Sequence, residues 1–224
     1  MKTEIVSFYC DIGDKTYYSD HARRLRINCN EHNMPHDIRE LSSLGEYRLN
    51  CLAKPKFILD VLMEKKKPFV WMDVDSILHD ELKVFDEMEG KCDIGFAYQS
   101  IISSNLNLSM PKASPIYVSY NELVIEFLNF WITSCDENIK STTQRKVFDH
   151  EILMAFVLPI YLPKLKIAAL PINYAIWPGT KLPEGFPMKL MITMGISDNE
   201  SKEQSLREMG LPQESIDYNL ARNL

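Results

Sequence analysis

The sequence predicts a single α/β domain whose central sheet is mostly parallel and flanked by helices. Segments 5–9, 36–41 and 69–72 have the length and apolar content of buried strands, and segments with helical spacing separate them. This alternation is typical of a parallel sheet, because parallel strands need a long crossover connection. A chain of 224 residues is long enough for one such domain with its own core.

Two helices are predicted between these strands. Over residues 16–33 the apolar residues recur every three or four positions, which is helical spacing, and Pro35 ends the helix. Residues 53–66 repeat the pattern, with Pro55 in the first turn, where proline is tolerated. The buried stripes are expected to contain Tyr18, Ala22, Leu25 and Cys29 in the first helix and Phe57, Ile58, Val61 and Leu62 in the second.

The second half of the sequence is less regular. Segments 94–98 and 116–119 are predicted strands with a polar loop between them, and helices are predicted over 121–133 and 147–157. From about residue 159, repeated prolines are expected to divide the chain into short strands and loops, and the polar tail from 198 has some helical spacing. Neither a repeat nor a linker is visible, so we predict one domain over residues 1–224 with an irregular C-terminal part.

Composition narrows the functional classes. The net charge of −6 argues against a general nucleic-acid binder, which usually carries a basic face. The five cysteines are odd in number and no pair has metal-ligand spacing, which favours free thiols in a reducing compartment. The N-terminus has neither a long apolar region nor a small-residue cleavage site. A cytoplasmic location is therefore expected.

The most informative motif is the pair Asp73 and Asp75, which directly follows the apolar run Phe69-Val70-Trp71-Met72. Residues two apart in a strand point to the same face, and open α/β sheets bind ligands at the carboxyl ends of their strands. Two neighbouring carboxylates repel each other unless a cation lies beside them, and oxygen ligands suit Mg²⁺ or Mn²⁺. The alternative is that both aspartates are turn residues that cap the next element.

Two kinds of chemistry use this arrangement. In haloacid-dehalogenase-like phosphatases the first aspartate is a nucleophile and the second a general acid. That pattern expects Thr or Val where this chain has Ile77, and it expects the motif on the first strand, whereas here it follows the third. The other chemistry is glycosyl transfer from a nucleotide sugar.

The chain resembles GT-A glycosyltransferases of the nucleotide-diphospho-sugar transferase type over roughly residues 3–177. The resemblance rests on four segments: "FYCDIGDKTYYSDHARRLRINC", "NCLAKPKFILDVL", "FVWMDVDSIL" and "VFDHEIL". It implies a Rossmann-like GT-A fold, a bound Mn²⁺ or Mg²⁺, and transfer of a sugar from a nucleotide-diphosphate donor, with UDP as the expected carrier. The acceptor stays open between a glycan, a lipid-linked saccharide, a protein and a modified DNA base. A non-catalytic module that only binds nucleotide sugars is a further alternative.

The resemblance also assigns donor-binding roles. The first strand and its loop would hold the nucleoside, with Tyr17, Tyr18 and Arg24 as weaker candidates, although core packing explains Phe8 and Tyr9 equally well. Lys54, at a helix start, would meet the diphosphate, or it is a surface lysine. Asn121 could instead cap the helix that it precedes. The full set of donor-binding candidates is Phe8, Tyr9, Cys10, Asp11, Tyr17, Lys54, Asp73, Val74, Asp75, Ser114 and Asn121.

The metal and catalytic candidates complete the expected site. Asp73 and Asp75 are the expected metal ligands. The resemblance implies a late histidine as a further ligand, but no histidine follows His150. Asn173 or a water would take that place, or Asp73 and Asp75 would hold the metal with the diphosphate alone. Asp149 and Glu151 are the catalytic candidates, because the resemblance implies an acidic residue here that faces the sugar or the acceptor hydroxyl. An acid at a helix start is also common without any catalytic role.

Overall fold

Residues 2–103, 106–176, 188–195 and 198–221 are described in a computed structural model of the protein. The first half follows the predicted alternation, and one additional short helix precedes the second predicted one. Its elements are β1 (Glu4–Tyr9), α1 (Tyr17–Glu31), β2 (His36–Glu40), α2 (Tyr47–Leu52), α3 (Lys54–Lys65) and β3 (Phe69–Trp71).

The second half contains shorter and more varied elements. A π-helical turn, Leu153–Val157, joins α5 to α6, and Pro159 lies in the first turn of α6, where its missing N–H costs little. Two 3₁₀ helices cover Lys83–Met88 and Ile172–Tyr174. The remaining elements are β4 (Ile77–Leu78), β5 (Ile94–Ser103), β6 (Leu106–Val118), α4 (Glu122–Lys140), α5 (Asp149–Ile152), α6 (Leu158–Tyr161), β7 (Ile167–Ala169), β8 (Ile192–Thr193), α7 (Asn199–Glu208) and α8 (Gln213–Ala221).

A six-stranded sheet with the order β2-β1-β3-β6-β5-β7 forms the centre of the domain. Only β6 runs against the other strands of this sheet, since its pairings with β3 and β5 are antiparallel and the remaining pairings are parallel. The predicted single α/β domain with a mostly parallel sheet is confirmed. The five codirectional strands therefore end at one edge, which we call the carboxyl edge.

Helices cover both faces of this sheet. Side chains alternate between the faces of a strand, and Val6 and Phe8 of β1 pack in one core cluster with α3 and α4. Ile5 packs in a second cluster with α1. Because both faces are buried, β1 and β3 consist of nearly continuous apolar residues, as expected for strands covered on both sides. Among the described helices, none is long and apolar enough to cross a membrane.

The predicted polar loop between the fourth and fifth strands is wrong. Strands β5 and β6 extend through it as an antiparallel hairpin, paired as far as Ser103 and Leu106. Serine and asparagine indicated a loop, but these residue types do not prevent backbone pairing in an antiparallel ladder. The pairing is interrupted where Phe96 pairs with Ile116 and Tyr98 with Pro111, so residues 112–115 leave the ladder. This excursion lies beside the end of β3.

The C-terminal part is more ordered than predicted. Helices α7 and α8 form within the polar tail that begins at residue 198. Their residues Leu206 and Ile216 pack with Phe148 in a third apolar cluster. Helix α4 also runs seven residues beyond its predicted end at Thr133, because the buried positions Cys135 and Asn138 continue its stripe. Of the proline-rich stretch, residues 177–187 lie outside the described residues.

Asn121 caps α4 and does not belong to the carboxyl edge. Its Oδ1 accepts a hydrogen bond from the N–H of Val124 at 2.9 Å, and its Nδ2 donates to Oδ1 of Asp93 at 2.8 Å. It follows β6, the end of which pairs with the start of β3, so it lies at the opposite edge of the sheet from Asp73. The expectation that Asn121 binds the donor is therefore replaced by a capping role.

We expect Asn121→Ala to lower the free energy of unfolding by about 1 kcal/mol, the usual loss for a missing N-cap. Denaturant unfolding would measure this loss. Asn129→Ala is the matched control, since Asn129 is an exposed residue of the same helix that donates only to the Ile125 carbonyl. Equal losses in the two variants would contradict the capping role.

Candidate active site

A buried lysine joins two aspartates at the carboxyl edge. Nζ of Lys54 lies 3.0 Å from Oδ1 of Asp73 and 2.9 Å from Oδ2 of Asp149. The same ammonium donates to the carbonyl of Ala113 at 3.4 Å, and only 8% of the Lys54 side chain is exposed. We call Lys54, Asp73 and Asp149 the carboxylate–lysine cluster. Lys54 is therefore neither a surface lysine nor freely available to a diphosphate, because its charge is already directed at two carboxylates.

Distant segments of the chain supply the members of this cluster. Lys54 begins α3, Asp73 follows the end of β3, and Asp149 begins α5. The N–H of Asp73 donates to Oγ of Ser114 at 2.8 Å, so the excursion at residues 112–115 holds the backbone at the end of β3. The carbonyl of Asp149 accepts a hydrogen bond from the indole N–H of Trp131 at 3.2 Å, which fixes α5 against α4.

One ammonium does not neutralise the negative charge of this region. Burial alone would lower the pKa of Lys54, but Asp149 and Asp73 more than offset it and raise that pKa above its ordinary value. Burial raises the pKa of Asp73, and Lys54 opposes this only in part. Lys54 is thus fully paired and Asp73 incompletely paired, because the two carboxylates share one cation. Burial, followed by the charge of Asp73, raises the pKa of Asp75 to about 7.

The backbone of Asp75 is held on two sides, whereas its carboxylate forms no ion pair with a residue that the structure describes. Its carbonyl accepts a hydrogen bond from Nη2 of Arg24 at 2.6 Å. Gly195 lies against the same peptide so closely that a Cβ at position 195 would overlap the Asp75 carbonyl. Within the described ranges, no lysine, arginine or histidine forms an ion pair with the Asp75 carboxylate. Gly195 carries no signal in the sequence, because only the folded chain brings it to Asp75.

The pair Asp73 and Asp75 fits a divalent cation by the chemistry of its donors. Both are carboxylates, both have raised pKa values, and Asp75 lacks a counter-ion within the described part of the chain. Hard cations such as Mg²⁺ take oxygen ligands and retain positions for water and phosphate. Among the described residues, no group of three His, Cys, Asp or Glu side chains could hold a metal. Asn173, the side chain considered as a third ligand, donates a hydrogen bond from its amide to the Lys189 carbonyl at 2.6 Å.

The residues at the end of β1 make contacts within the core and with β2. Phe8 is buried against Phe57 and Trp71, with ring centroids 5.1 and 5.3 Å apart, so core packing describes it and a base cannot stack on it. The hydroxyl of Tyr9 donates to Glu40 at 3.2 Å. Cys10 is also buried, and burial together with the charge of Asp11 raises the pKa of its thiol to about 11.

Asp11 accepts hydrogen bonds from the first turn of α1, and Tyr17 begins this helix close enough to Asp75 to be affected by its charge. Oδ1 of Asp11 accepts hydrogen bonds from the N–H groups of Tyr18 and Ser19, at 2.8 and 3.0 Å. Tyr17 is half-buried, and burial followed by the charge of Asp75 raises the pKa of its phenol. Val74 is buried, so it can offer a ligand only its backbone.

Glu151 is also committed to a helix terminus. Its Oε2 accepts a hydrogen bond from the N–H of Phe148 at 2.9 Å, and Oε1 lies 3.7 Å from Arg145. This bond satisfies an N–H at the start of α5 that has no partner within the helix. Of the two catalytic candidates, the structure brings only Asp149 into the cluster, and Asp149 is only 2% exposed.

Comparison with known proteins identifies the fold. No protein-family model and no curated protein sequence matches this chain. Its structure is similar to the crystal structure of a glycosyltransferase involved in the glycosylation of the major capsid of PBCV-1. The TM-score is 0.60, and the sequences are 11% identical over 99% of both chains. The chain therefore has the fold of a glycosyltransferase.

We expect Lys54→Met to lower the free energy of unfolding by about 3 kcal/mol, since it leaves Asp149 buried without a counter-ion. Adding Asp149→Asn should recover part of the loss by removing the unpaired charge. Denaturant unfolding is the measurement, and Lys56→Met is the control, because Lys56 forms an exposed ion pair with Asp60 on the same helix. A loss no larger than that of Lys56→Met would show that the cluster does not stabilise the fold.

Gly195→Ala should displace Asp75, because the new methyl group would occupy the space of its carbonyl. We expect the affinity for UDP in the presence of Mn²⁺ to fall roughly tenfold or more, as small displacements of a positioned group can cost. The control is Gly210→Ala, which meets no atom within 4 Å but has a φ of +74° and so introduces only backbone strain. Calorimetry that gives the same affinity for both variants would exclude a positioning role for Gly195.

Proposed function

We propose that this protein is a metal-dependent glycosyltransferase of the GT-A type that transfers a sugar from a nucleotide-diphosphate donor, with UDP as the carrier. One observation carries the proposal: Asp73 and Asp149 share a single ammonium, and Asp75 follows two residues after Asp73, at the carboxyl edge of a sheet that has a glycosyltransferase fold. Open α/β sheets bind their ligands at this edge. The surplus of carboxylates suits a cation, and the cation suits a diphosphate.

Asp73 and Asp75 would hold the Mg²⁺ or Mn²⁺. When bound, such an ion neutralises charge that develops on the leaving diphosphate. Asp75 is the stronger ligand candidate, because its carboxylate has no ion pair within the described residues. Asp73 shares Lys54 with Asp149 and so keeps a fixed orientation. The absence of a third protein carboxylate or histidine in the described ranges leaves room for diphosphate oxygens.

Lys54 and Asp149 would support the reaction through position and charge. Lys54 fixes the Asp73 carboxylate and is itself nearly inaccessible, so its contribution is positional. Asp149 presents a buried negative charge close to the proposed sugar site. Such a charge stabilises the positive charge that develops on the sugar ring, and this stabilisation is strong where water is excluded.

The experiment that tests the proposed class is a panel of nucleotide sugars incubated with Mn²⁺ and scored by release of the nucleotide. Release that depends on metal supports a transferase with water as a substitute acceptor. Tight binding without any release would identify a binding module. Phosphate release from a phosphomonoester, with phosphate attached to Asp73, would instead identify a phosphatase.

We expect UDP to bind more tightly in a divalent cation than in chelator, and Asp75→Asn to abolish this difference, because the amide is a weaker, neutral ligand for the ion. Calorimetry with UDP would be run in Mn²⁺ and again in chelator. Asp60→Asn is the control, since Asp60 is an exposed carboxylate of α3 that pairs only with Lys56. Equally tight binding in chelator and in Mn²⁺ would remove the basis for a metal bridge.

A further inference from the structure

Asp149 and Glu151, the two acidic catalytic candidates, are both unavailable to a substrate hydroxyl. Asp149 is 2% exposed and its Oδ2 faces Lys54 at 2.9 Å. Glu151 uses one oxygen to cap the start of α5 and lies near Arg145 with the other. The residue between them in the sequence is His150, and 48% of its side chain is exposed. Within the Asp149–Glu151 segment, His150 is therefore the titratable side chain that is both exposed to solvent and not committed to a helix cap or to Lys54.

Packing orients the His150 ring. The imidazole stacks on Phe148 with an interplanar angle of 12° and a centroid distance of 5.9 Å. Phe148 is in turn held edge-on by Tyr47 at 5.8 Å. Nδ1 of His150 lies 4.0 Å from Oδ1 of Asp149, too far for a hydrogen bond but close enough for an ion pair once the ring is protonated. The ring is thus directed at the carboxylate–lysine cluster.

The charges around His150 suit a proton acceptor. Partial desolvation of the half-exposed ring lowers the pKa of His150, although Asp149 and Glu151 oppose this. Lys54 lowers the pKa further and Asp73 opposes it. The ring is consequently neutral near pH 7 and can accept a proton. Asp149 then stabilises the imidazolium that forms, since its carboxylate lies beside Nδ1.

We propose that His150 is the general base that deprotonates the acceptor hydroxyl; the inference rests on the proposed glycosyltransferase function. A ring nitrogen takes the hydroxyl proton as the acceptor oxygen bonds to the anomeric carbon. The bond from that carbon to the phosphate oxygen breaks, and its electron pair leaves with the nucleoside diphosphate. A base that assists direct displacement implies that the configuration at the anomeric carbon is inverted.

The test compares His150→Ala with wild type in Mn²⁺, using the panel's most rapidly hydrolysed nucleotide sugar and water as the acceptor. We expect kcat to fall by about 10²-fold or more, the usual effect of losing a general base. UDP affinity and melting temperature should stay at the wild-type values, and added imidazole should restore part of the rate. His32→Ala, at the far end of α1, is the control and should behave as wild type.

Several outcomes would overturn the inference. Turnover of His150→Ala near the wild-type rate would exclude a base at this position, and so would a product that retains the donor's anomeric configuration when observed by rapid NMR. A rate loss that imidazole does not rescue and that comes with weaker UDP binding would show a structural role. Wild-type protein that releases nucleotide from no member of the panel would refute the proposed function, and His150 with it. Metal-dependent release by wild type and His150→Ala alike would refute only the inference.

Discussion

The ion pairs of Lys54 with Asp73 and Asp149 are the constraint on which the rest of the site depends. A buried ammonium is costly to desolvate, and two carboxylates at 3.0 and 2.9 Å are what make its burial tolerable. The three residues come from the start of α3, the end of β3 and the start of α5, so the cluster forms only when the sheet and both of its helical neighbours are in place. The packing of α3 and α5 against the sheet therefore also positions the three side chains of the site.

The cluster is not built for stability alone. Three carboxylates and one ammonium lie in a partly buried region, and burial, together with the neighbouring negative charges, raises the pKa values of Asp73 and Asp75. A hydrophobic replacement of similar volume would pack without this electrostatic cost. The cost is understandable where a ligand supplies the missing positive charge, and perturbed carboxylates of this kind concentrate at functional sites. The charge imbalance thus favours a cation and a phosphate-bearing ligand over a purely structural ion-pair network.

Sequence periodicity predicted the parts of the fold that depend on local patterns. The apolar run before Asp73 placed that residue at the end of a strand, and strand–helix alternation gave the mostly parallel sheet. The partners of Lys54 could not be found in this way, because Asp149 lies far along the chain and meets it only through tertiary packing. Asp11, Asn121 and Glu151 show the converse difficulty, since a polar residue at a helix start has the same local pattern whether it caps the helix or binds a ligand. The polar β5–β6 hairpin and Gly195 carried no pattern that distinguishes them from loops.

The C-terminal part, which looks irregular in the sequence, contacts the candidate site at two places. Gly195 lies directly against the Asp75 backbone. Three residues later, Asp198 forms an ion pair with Lys15 at 2.8 Å, and Glu200 forms another with the same lysine. Lys15 belongs to the segment between β1 and α1, and the N–H of Asp198 donates to the Tyr18 hydroxyl at 3.3 Å. The same C-terminal segment therefore contacts both the metal-binding candidate and the connection expected to hold the nucleoside. The contact of Gly195 with Asp75 and the contacts of Asp198 with Lys15 and Tyr18 therefore link both parts of the expected donor site to the region of the chain with the weakest sequence signal.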